Sequence, residues 1–306
     1  MSDKTYDVVV IGGGPAGYTT ALYTTRAGLD TLVVEKFSAG GQMTQTSQID
    51  NYPGFDEGVD GFTLGFKMQS GAERFGARTI RAEVLSVNLK DKIKIIETSE
   101  GSLSAKAVVI ATGAEHRHLG LKDEDKLIGK GVGYCAACDG MFYRGKTVVV
   151  VGGGNSAAAD ALLLSKICAK VIVVHRRDSL RATKVYHEPL MKAQNVEFMW
   201  DSTLEEFIYD EKIKGALIKN IKSQIVTQIS CDGVFISIGR VPETGLFKGQ
   251  LDLDEIGYIK ADETTRTNID GVFAAGDVRT KPVRQIVTAV ADGATASHYI
   301  EEYLCQ

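Results

Sequence analysis

The 306-residue sequence is short of proline, with five, and of tryptophan, with one, and its five cysteines are too few and too scattered for a disulfide framework. Only Cys135 and Cys138 lie close together, as Cys135-Ala136-Ala137-Cys138. No second C-x-x-C or C-x-x-H accompanies them, so a tetrahedral zinc site lacks half its ligands. There is no uninterrupted apolar run near the ~18 residues a membrane helix needs. Positive charge is not in excess either: 35 Lys+Arg face 39 Asp+Glu, a net charge of −4, which argues against a nucleic-acid binder. The opening residues run from Met1 to Asp7 without a long apolar segment or a small-residue cleavage site. A secretory signal is therefore not evident, and a cytoplasmic protein is expected. Hydrophobic residues at 44% and charged residues at 24% are ordinary for a soluble globular chain. The length suggests about two domains.

What the sequence does hold in quantity is glycine, 33 residues gathered into short motifs. Two of these motifs belong to an internal repeat. The first copy runs from the β-branched stretch Tyr6–Ile11 into Gly12-Gly13-Gly14-Pro15-Ala16-Gly17, a helical stretch to about Ala27, and the strand Thr31–Val34 ending on Glu35. The second runs from Thr147–Val151 into Gly152-Gly153-Gly154-Asn155-Ser156-Ala157, a helix to about Ile167, and the strand Val171–Val174 ending on His175-Arg176-Arg177. From Gly12 to Glu35, and again from Gly152 to His175, the step is 23 residues. Strand, G-x-G-x-x-G/A, helix, strand is a dinucleotide-binding pattern. Its first glycine makes the tight turn, the second admits a pyrophosphate, and the third small residue lets helix and strand pack closely.

The residue closing the second strand faces the adenosine ribose. Glu35 accepts ribose hydroxyls and repels a 2′-phosphate. His175, Arg176, Arg177 and Arg181 put a cationic cluster at the same place in the second copy, and planar guanidinium groups match phosphate oxygens. An adenine dinucleotide without a 2′-phosphate is expected at the first site and NADPH at the second.

Each copy continues into β-rich sequence. In the first, Lys92–Ile96 and Ala107–Ile110 lead to Ala111-Thr112-Gly113; in the second, Ile213–Ile221, Ile225–Ile229 and Gly233–Ile238 lead to Gly239-Arg240. After these come a strand-like Gly271–Ala275, Gly276-Asp277, and helical periodicity from Arg284 to Leu304. This last segment has no fingerprint of its own and is expected to complete the first domain. The expected division is 1–114 with 245–306, interrupted by 115–244. Two short connections of this kind are the anatomy of a hinge.

Cys135 and Cys138 sit just ahead of the second copy. A C-x-x-C at a helix start suits disulfide exchange, and Asp139 beside it is a candidate proton donor. Cys168 and Cys231 read as core residues and Cys305 as a bystander. His116, His118, His187 and His298 have no ligand spacing and are given no role. A disulfide does not readily take hydride from a nicotinamide, whereas a flavin accepts it and passes electrons to sulfur. That favours FAD at the first site.

With these motifs assembled, the sequence resembles the low-molecular-weight bacterial NADPH-dependent thioredoxin reductases over essentially its full length. The matching segments are Gly12–Gly17, Gly40-Gly41-Gln42, Asn51-Tyr52-Pro53-Gly54, Ala111-Thr112-Gly113, Cys135–Gly140, His175–Asp178, Arg181-Ala182, Gly276-Asp277-Val278 and Arg284-Gln285. The most specific is Cys-x-x-Cys-Asp-Gly ahead of a second fingerprint. The resemblance implies an α/β fold of two Rossmann-like, three-layer ββα dinucleotide-binding domains, the second inserted into the first. It implies FAD, NADPH, a homodimer and thioredoxin as substrate; from charge and hydropathy, no nucleic-acid and no membrane partner is expected. FAD would be held by Gly12, Gly14, Pro15, Ala16, Gly17, Glu35, Lys36, Gly41, Gln42, Asn51, Val84, Ala111, Thr112, Gly113, Gly276, Asp277, Arg284, Gln285 and Ile286. Asp277 would lie on the ribityl chain. NADPH would be held by Gly152, Gly154, Asn155, Ser156, Ala157, His175, Arg176, Arg177, Arg181, Ile238, Gly239 and Arg240. Cys138 matches the cysteine nearer the flavin, Cys135 the one that attacks thioredoxin, and Phe142, Tyr143 and Arg144 the region that docks it. Asn155 departs from an Asp common at its position. Another disulfide acceptor, or a flavin-bound redox sensor, remain the competing readings.

Overall fold

Val8-Val9-Val10-Ile11 is apolar at every position, which suits a parallel strand covered on both faces. In the computed structural model, which describes residues 4–46 and 48–306, these residues lie in strand β1 (Thr5–Ile11). Val8 and Val10 enter one core while Val9 and Ile11 enter another, none more than 4% exposed. β1 pairs in parallel with β2 (Thr31–Glu35) and β6 (Gly101–Ile110), and β3 (Arg78–Arg81) extends the sheet beyond β2. Past β6 the sheet turns antiparallel, through β5 (Lys94–Thr98) to β4 (Val84–Asn88). The late strand β17 (Val272–Ala274) also pairs with β6, Val272 opposite Val108, so the C-terminal segment completes the first sheet.

Helix α1 (Pro15–Arg26) follows β1 through the first glycine turn. Its buried Thr20 and Thr24 hydroxyls each donate to the carbonyl four residues back, at 2.9 Å, which lets a threonine-rich helix pack without water. The C-terminal helix α6 (Ile286–Leu304) packs on α1 so closely that a Cβ at Gly293 would lie 2.5 Å from the Ala16 carbonyl oxygen. Helix α2 (Gly61–Glu73) escapes the sequence reading because glycine at 61, 65 and 71 lowers its helix propensity. Packing explains two of these: a Cβ on Gly61 would strike the Met43 carbonyl and one on Gly65 the Ala39–Gly40 backbone. Asp60 caps the helix by accepting from the Thr63 N–H at 3.0 Å.

The second unit repeats the plan. Strand β9 (Thr147–Val151) splits its valines between two cores, Val148 and Val150 on one side, Val149 and Val151 on the other. The parallel order is β11 (Val196–Met199), β10 (Lys170–Val174), β9, β15 (Gly233–Ile236), β8 (Val132–Gly133). Helices α4 (Asn155–Ser165) and α5 (Lys184–Lys192) belong to this unit, as does the antiparallel meander β12 (Ser202–Tyr209), β13 (Ile213–Asn220), β14 (Val226–Ser230). One unit runs up to Glu115 and resumes at Val241–Gln306; the other is His116–Arg240. The second boundary falls earlier than residue 245. Glu243 N–H donates to the Gly113 carbonyl at 3.1 Å, and Thr112 Oγ1 donates to the Glu243 carbonyl at 2.7 Å, which ties 241–244 to the first unit. The chain crosses between units through β7 (Ala114–His116) and β16 (Arg240–Pro242), paired as a two-stranded ribbon.

Candidate active site

Both glycine turns fit a pyrophosphate. Gly12 has φ +107°, and a Cβ there would lie 2.4 Å from the Ala111 carbonyl oxygen; Gly152 has φ +145°, with its Cβ 2.4 Å from the Ser237 carbonyl oxygen. The two copies thus make the same close approach to the end of a neighbouring strand. A Cβ on Gly14 or Gly154 would meet nothing within 4 Å, so space lies open in front of each turn. Gly14 and Gly154 are the N-caps of α1 and α4, and neither offers a side chain to the first-turn N–H groups. Those donors and the helix dipole remain for an anion.

Beside the first turn, Glu35 Oε2 accepts from Gly13 N–H at 2.6 Å and Oε1 from Phe37 N–H at 2.9 Å. Each oxygen keeps a further lone pair for a ribose hydroxyl. A cavity of ≈ 300 Å³ opens beside it, lined by Tyr18, Phe37, Thr79 and Arg81. Lys36 bonds Glu83 at 2.7 Å, next to Val84 at the start of β4.

In the second unit Arg176, Arg177 and Arg181 are exposed. Arg181 and Ala182 N–H both donate to the Gly153 carbonyl, at 2.7 and 3.1 Å, which folds the arginine loop over the glycine turn. Asn155 Oδ1 accepts from Thr183 N–H at 2.8 Å and braces the same loop. His175 departs from its expected part as a cation. It is buried, its ring lies within 2.4 Å of where a Gly153 Cβ would sit, and its Nε2 has no hydrogen-bond partner. Burial and the neighbouring arginines lower its pKa, so the ring is neutral and serves as the floor of the turn. The positive charge belongs to the three arginines alone.

At the other end of the first site, Gly276 has φ +82° and its N–H donates to Asp292 Oδ2 at 2.8 Å. Arg284 stacks on Tyr258, 3.9 Å from the ring centroid, and donates to the Asp277 and Arg279 carbonyls at 3.4 and 3.2 Å. Gln285 caps α6 in a capping box with Thr288, and Asn51 Nδ2 donates to Gln285 Oε1 at 3.0 Å. Gln42 Nε2 donates to the Ala114 carbonyl. Thus Asn51, Gln42, Thr112 and Arg284 build the frame of the site as much as its surface. Sequence reasoning missed Asp292, whose only signal is a carboxylate on a helix otherwise rich in small and apolar residues. It also missed Asp160, which accepts from Ser237 Oγ at 2.6 Å beside the second glycine turn.

Cys135 and Cys138 are joined in a disulfide with Cα atoms 5.3 Å apart. Cys135 is the N-cap of helix α3 (Ala136–Asp139), and its Sγ accepts from Cys138 N–H at 3.2 Å. With only four residues, α3 has a small dipole, so this direct N–H is the nearer source of thiolate stabilisation. Asp139 Oδ2 comes within 3.3 Å of a Gly133 Cβ position that also touches the Phe235 ring, and Tyr143 meets Phe235 edge-on at 5.2 Å. Burial in this apolar setting raises the Asp139 pKa to about 6. The lead into Cys135 is fixed by Tyr134, stacked on His116 at 4.7 Å, whose hydroxyl donates to buried Glu124 at 2.5 Å. Met141 and Phe142 just beyond are 52% and 46% exposed. Arg144 is exposed and Tyr143 half-buried. Cys168 and Cys231 are buried, their pKa values raised by burial to about 11 and about 12, and Cys305 is exposed.

Residues 6–293 match the family described as pyridine nucleotide-disulphide oxidoreductase. The chain belongs to that family. Within it the chain groups with the thioredoxin reductases. It is 45% identical to a thioredoxin reductase of Listeria monocytogenes, covering 99% of this chain and 95% of that one. It is equally similar to one from Streptomyces coelicolor, with the same coverage. The crystal structure of thioredoxin reductase from Streptococcus pyogenes superposes with a TM-score of 0.92 at 42% identity, covering 99% of both chains. The cofactors of this oxidoreductase are accordingly a flavin and a pyridine nucleotide.

Proposed function

We propose that this chain is an NADPH-dependent, FAD-containing thioredoxin-disulfide reductase. The observation that carries the reading is a Cys135–Cys138 disulfide beside a carboxyl group of raised pKa, in a chain with two glycine turns. When bound, FAD supplies hydride acceptance from the nicotinamide and delivery of two electrons to sulfur. Gly12, Gly14 and the α1 N-terminus would hold its pyrophosphate, Glu35 its ribose, Asp277 its ribityl chain, and the start of α6 would face its ring. Gly152, Gly154 and the α4 N-terminus hold NADPH, and Arg176, Arg177 and Arg181 bind its 2′-phosphate. Two electrons entering the disulfide release Cys135 and Cys138 as thiol and thiolate, and Asp139 carries the proton. Cys135 thiolate then attacks the partner disulfide and expels one of its sulfurs. Cys138 attacks Cys135 Sγ in the mixed disulfide, which restores the Cys135–Cys138 bond and frees a partner dithiol. Exposed Met141, Phe142 and Arg144 offer the partner an apolar and cationic footing next to the sulfurs.

The exposed Phe37, Phe62 and Phe66, which share one cavity wall, favour a homodimer formed through the FAD unit. Among the described residues no helix is long and apolar enough to cross a membrane, and the proposed compartment is the cytoplasm. The test is anaerobic titration of the yellow protein with NADPH, followed by oxidised thioredoxin. Bleaching by NADPH and recovery of colour with thioredoxin support the reading. Bleaching that only molecular oxygen reverses rules thioredoxin out as acceptor.

A further inference from the structure

Arg279, Lys281 and Asp292 form a buried ionic triad, their side chains 4%, 5% and 8% exposed. Asp292 Oδ1 accepts from Arg279 Nη2 at 2.8 Å, and its Oδ2 accepts from Arg279 Nε at 2.9 Å, Lys281 Nζ at 2.7 Å and Gly276 N–H at 2.8 Å. Lys281 also donates to the Thr288 carbonyl in the first turn of α6, at 3.1 Å. The Arg279–Asp292 pair is bidentate and balanced in charge. Lys281 is the surplus cation.

Stability does not account for such a group. Buried ions cost several kcal/mol each in desolvation, and apolar replacements of the same volume are often as stable. Its place in the fold suggests what it does. Asp292 stands on α6 and holds Gly276, whose Cβ position lies 3.0 Å from Ala16 Cβ at the start of α1. The triad therefore joins the glycine turn, the 276–277 turn and the α6 N-terminus, which are the parts of the unit assigned to FAD. The other charges about it do not cancel the surplus. Arg284 adds a further cation, with its Nη2 on the Arg279 carbonyl. Asp277, whose carbonyl Arg284 also contacts, offsets that cation at most, so the three cations Arg279, Lys281 and Arg284 against the two anions Asp277 and Asp292 still leave one positive charge. Asp262 and Glu263, which act on Arg279, are exposed and screened by solvent.

We propose that Lys281, acting through Asp292 and the first turn of α6, is a positioning residue whose uncompensated buried charge makes the bound flavin easier to reduce. The inference rests on assigning FAD to the first glycine turn. Reduction adds negative charge to the flavin, and a fixed cation in a poorly screened setting stabilises the charged product, in the same direction as the α6 dipole.

Asp292→Asn leaves two buried cations without a counter-ion and threatens the fold itself, so the lysine is the position to change. Wild type, Lys281→Met, Lys281→Gln and Lys281→Arg are purified, reconstituted with FAD, and poised against a reference dye to read the flavin midpoint potential. Bound flavin is quantified by its absorbance and its release rate. The expected result is a more negative potential in Lys281→Met and Lys281→Gln, with the wild-type value kept in Lys281→Arg. Unchanged potentials in Lys281→Met and Lys281→Gln, with FAD still bound, overturn the proposal. So does a Lys281→Arg protein that follows Lys281→Met, since packing and not charge then governs the shift. A wild-type protein that takes up no FAD overturns the cofactor assignment itself, an outcome distinct from failure confined to the variants.

Discussion

Asp139 is held between two demands. Its neighbours Gly133, Phe235 and Tyr143 give the carboxylate little solvation, and its pKa rises from 3.8 to about 6. Because the folded value exceeds the unfolded one, the unfolded chain loses its proton first. The contribution of Asp139 to stability therefore falls as pH rises from about 3.8 through about 6 and is flat above. Asp139→Asn removes that loss, so urea unfolding should find the variant about 2–3 kcal/mol more stable at pH 8 and little different at pH 4. The same variant should slow thioredoxin reduction by roughly 100-fold and lose any limb of the rate profile near pH 6. A variant no more stable than wild type at pH 8 would mean that the carboxylate is solvated. Cys135→Ser with Cys138→Ser should leave flavin reduction by NADPH nearly intact and abolish thioredoxin reduction. Retained turnover would direct attention to exposed Cys305. Replacing Arg176 or Arg177 by Ala removes a charge-assisted contact worth roughly 1.5–3 kcal/mol and should weaken NADPH about 10- to 150-fold. NADH binding should change little; equal loss of both would make the arginines structural.

At the scale of elements, strand, glycine turn and helix act as one device used twice. The glycines are required by neighbouring backbone: Ala111 in one copy, Ser237 in the other. Gly12→Ala should weaken FAD and Gly152→Ala should weaken NADPH, each by roughly 10- to 100-fold from backbone strain, and each should spare the other cofactor. Flavin absorbance and binding calorimetry separate the two. Cross-effects of equal size would mean that the turns do not bind independently. This device is readable in the sequence because its strands are continuous apolar runs and its turns are local. The same locality explains why α2 is not readable, since its glycines answer to contacts with residues 39–43 that periodicity does not express.

For the whole molecule, the separate cores of the two units predict separate responses to ligand. NADP+ at ~100 times its Kd should add about 2.7 kcal/mol to the unit that binds it. Thermal unfolding of the FAD-loaded protein with and without NADP+ should then resolve two transitions, with flavin fluorescence marking one and NADP+ shifting the other. A single transition moved as a whole by NADP+ would mean that the units unfold together.

The paired fingerprints, the contrast between Glu35 and the arginines, the Cys-x-x-Cys-Asp element and the return of the C-terminal segment to the first sheet follow from local pattern, because each needs only residue type and spacing. Tertiary contact decided the rest. His175 has a cationic neighbourhood in sequence, yet burial over Gly153 leaves it neutral. Asp139 is an ordinary acid in sequence, and its pKa rises only because Phe235 and Gly133 desolvate it in the fold. The triad of Arg279, Lys281 and Asp292 joins a loop to a helix two turns past its start, and no spacing rule marks that meeting. Charge state depends on solvation, and solvation is set by which distant segments fold together.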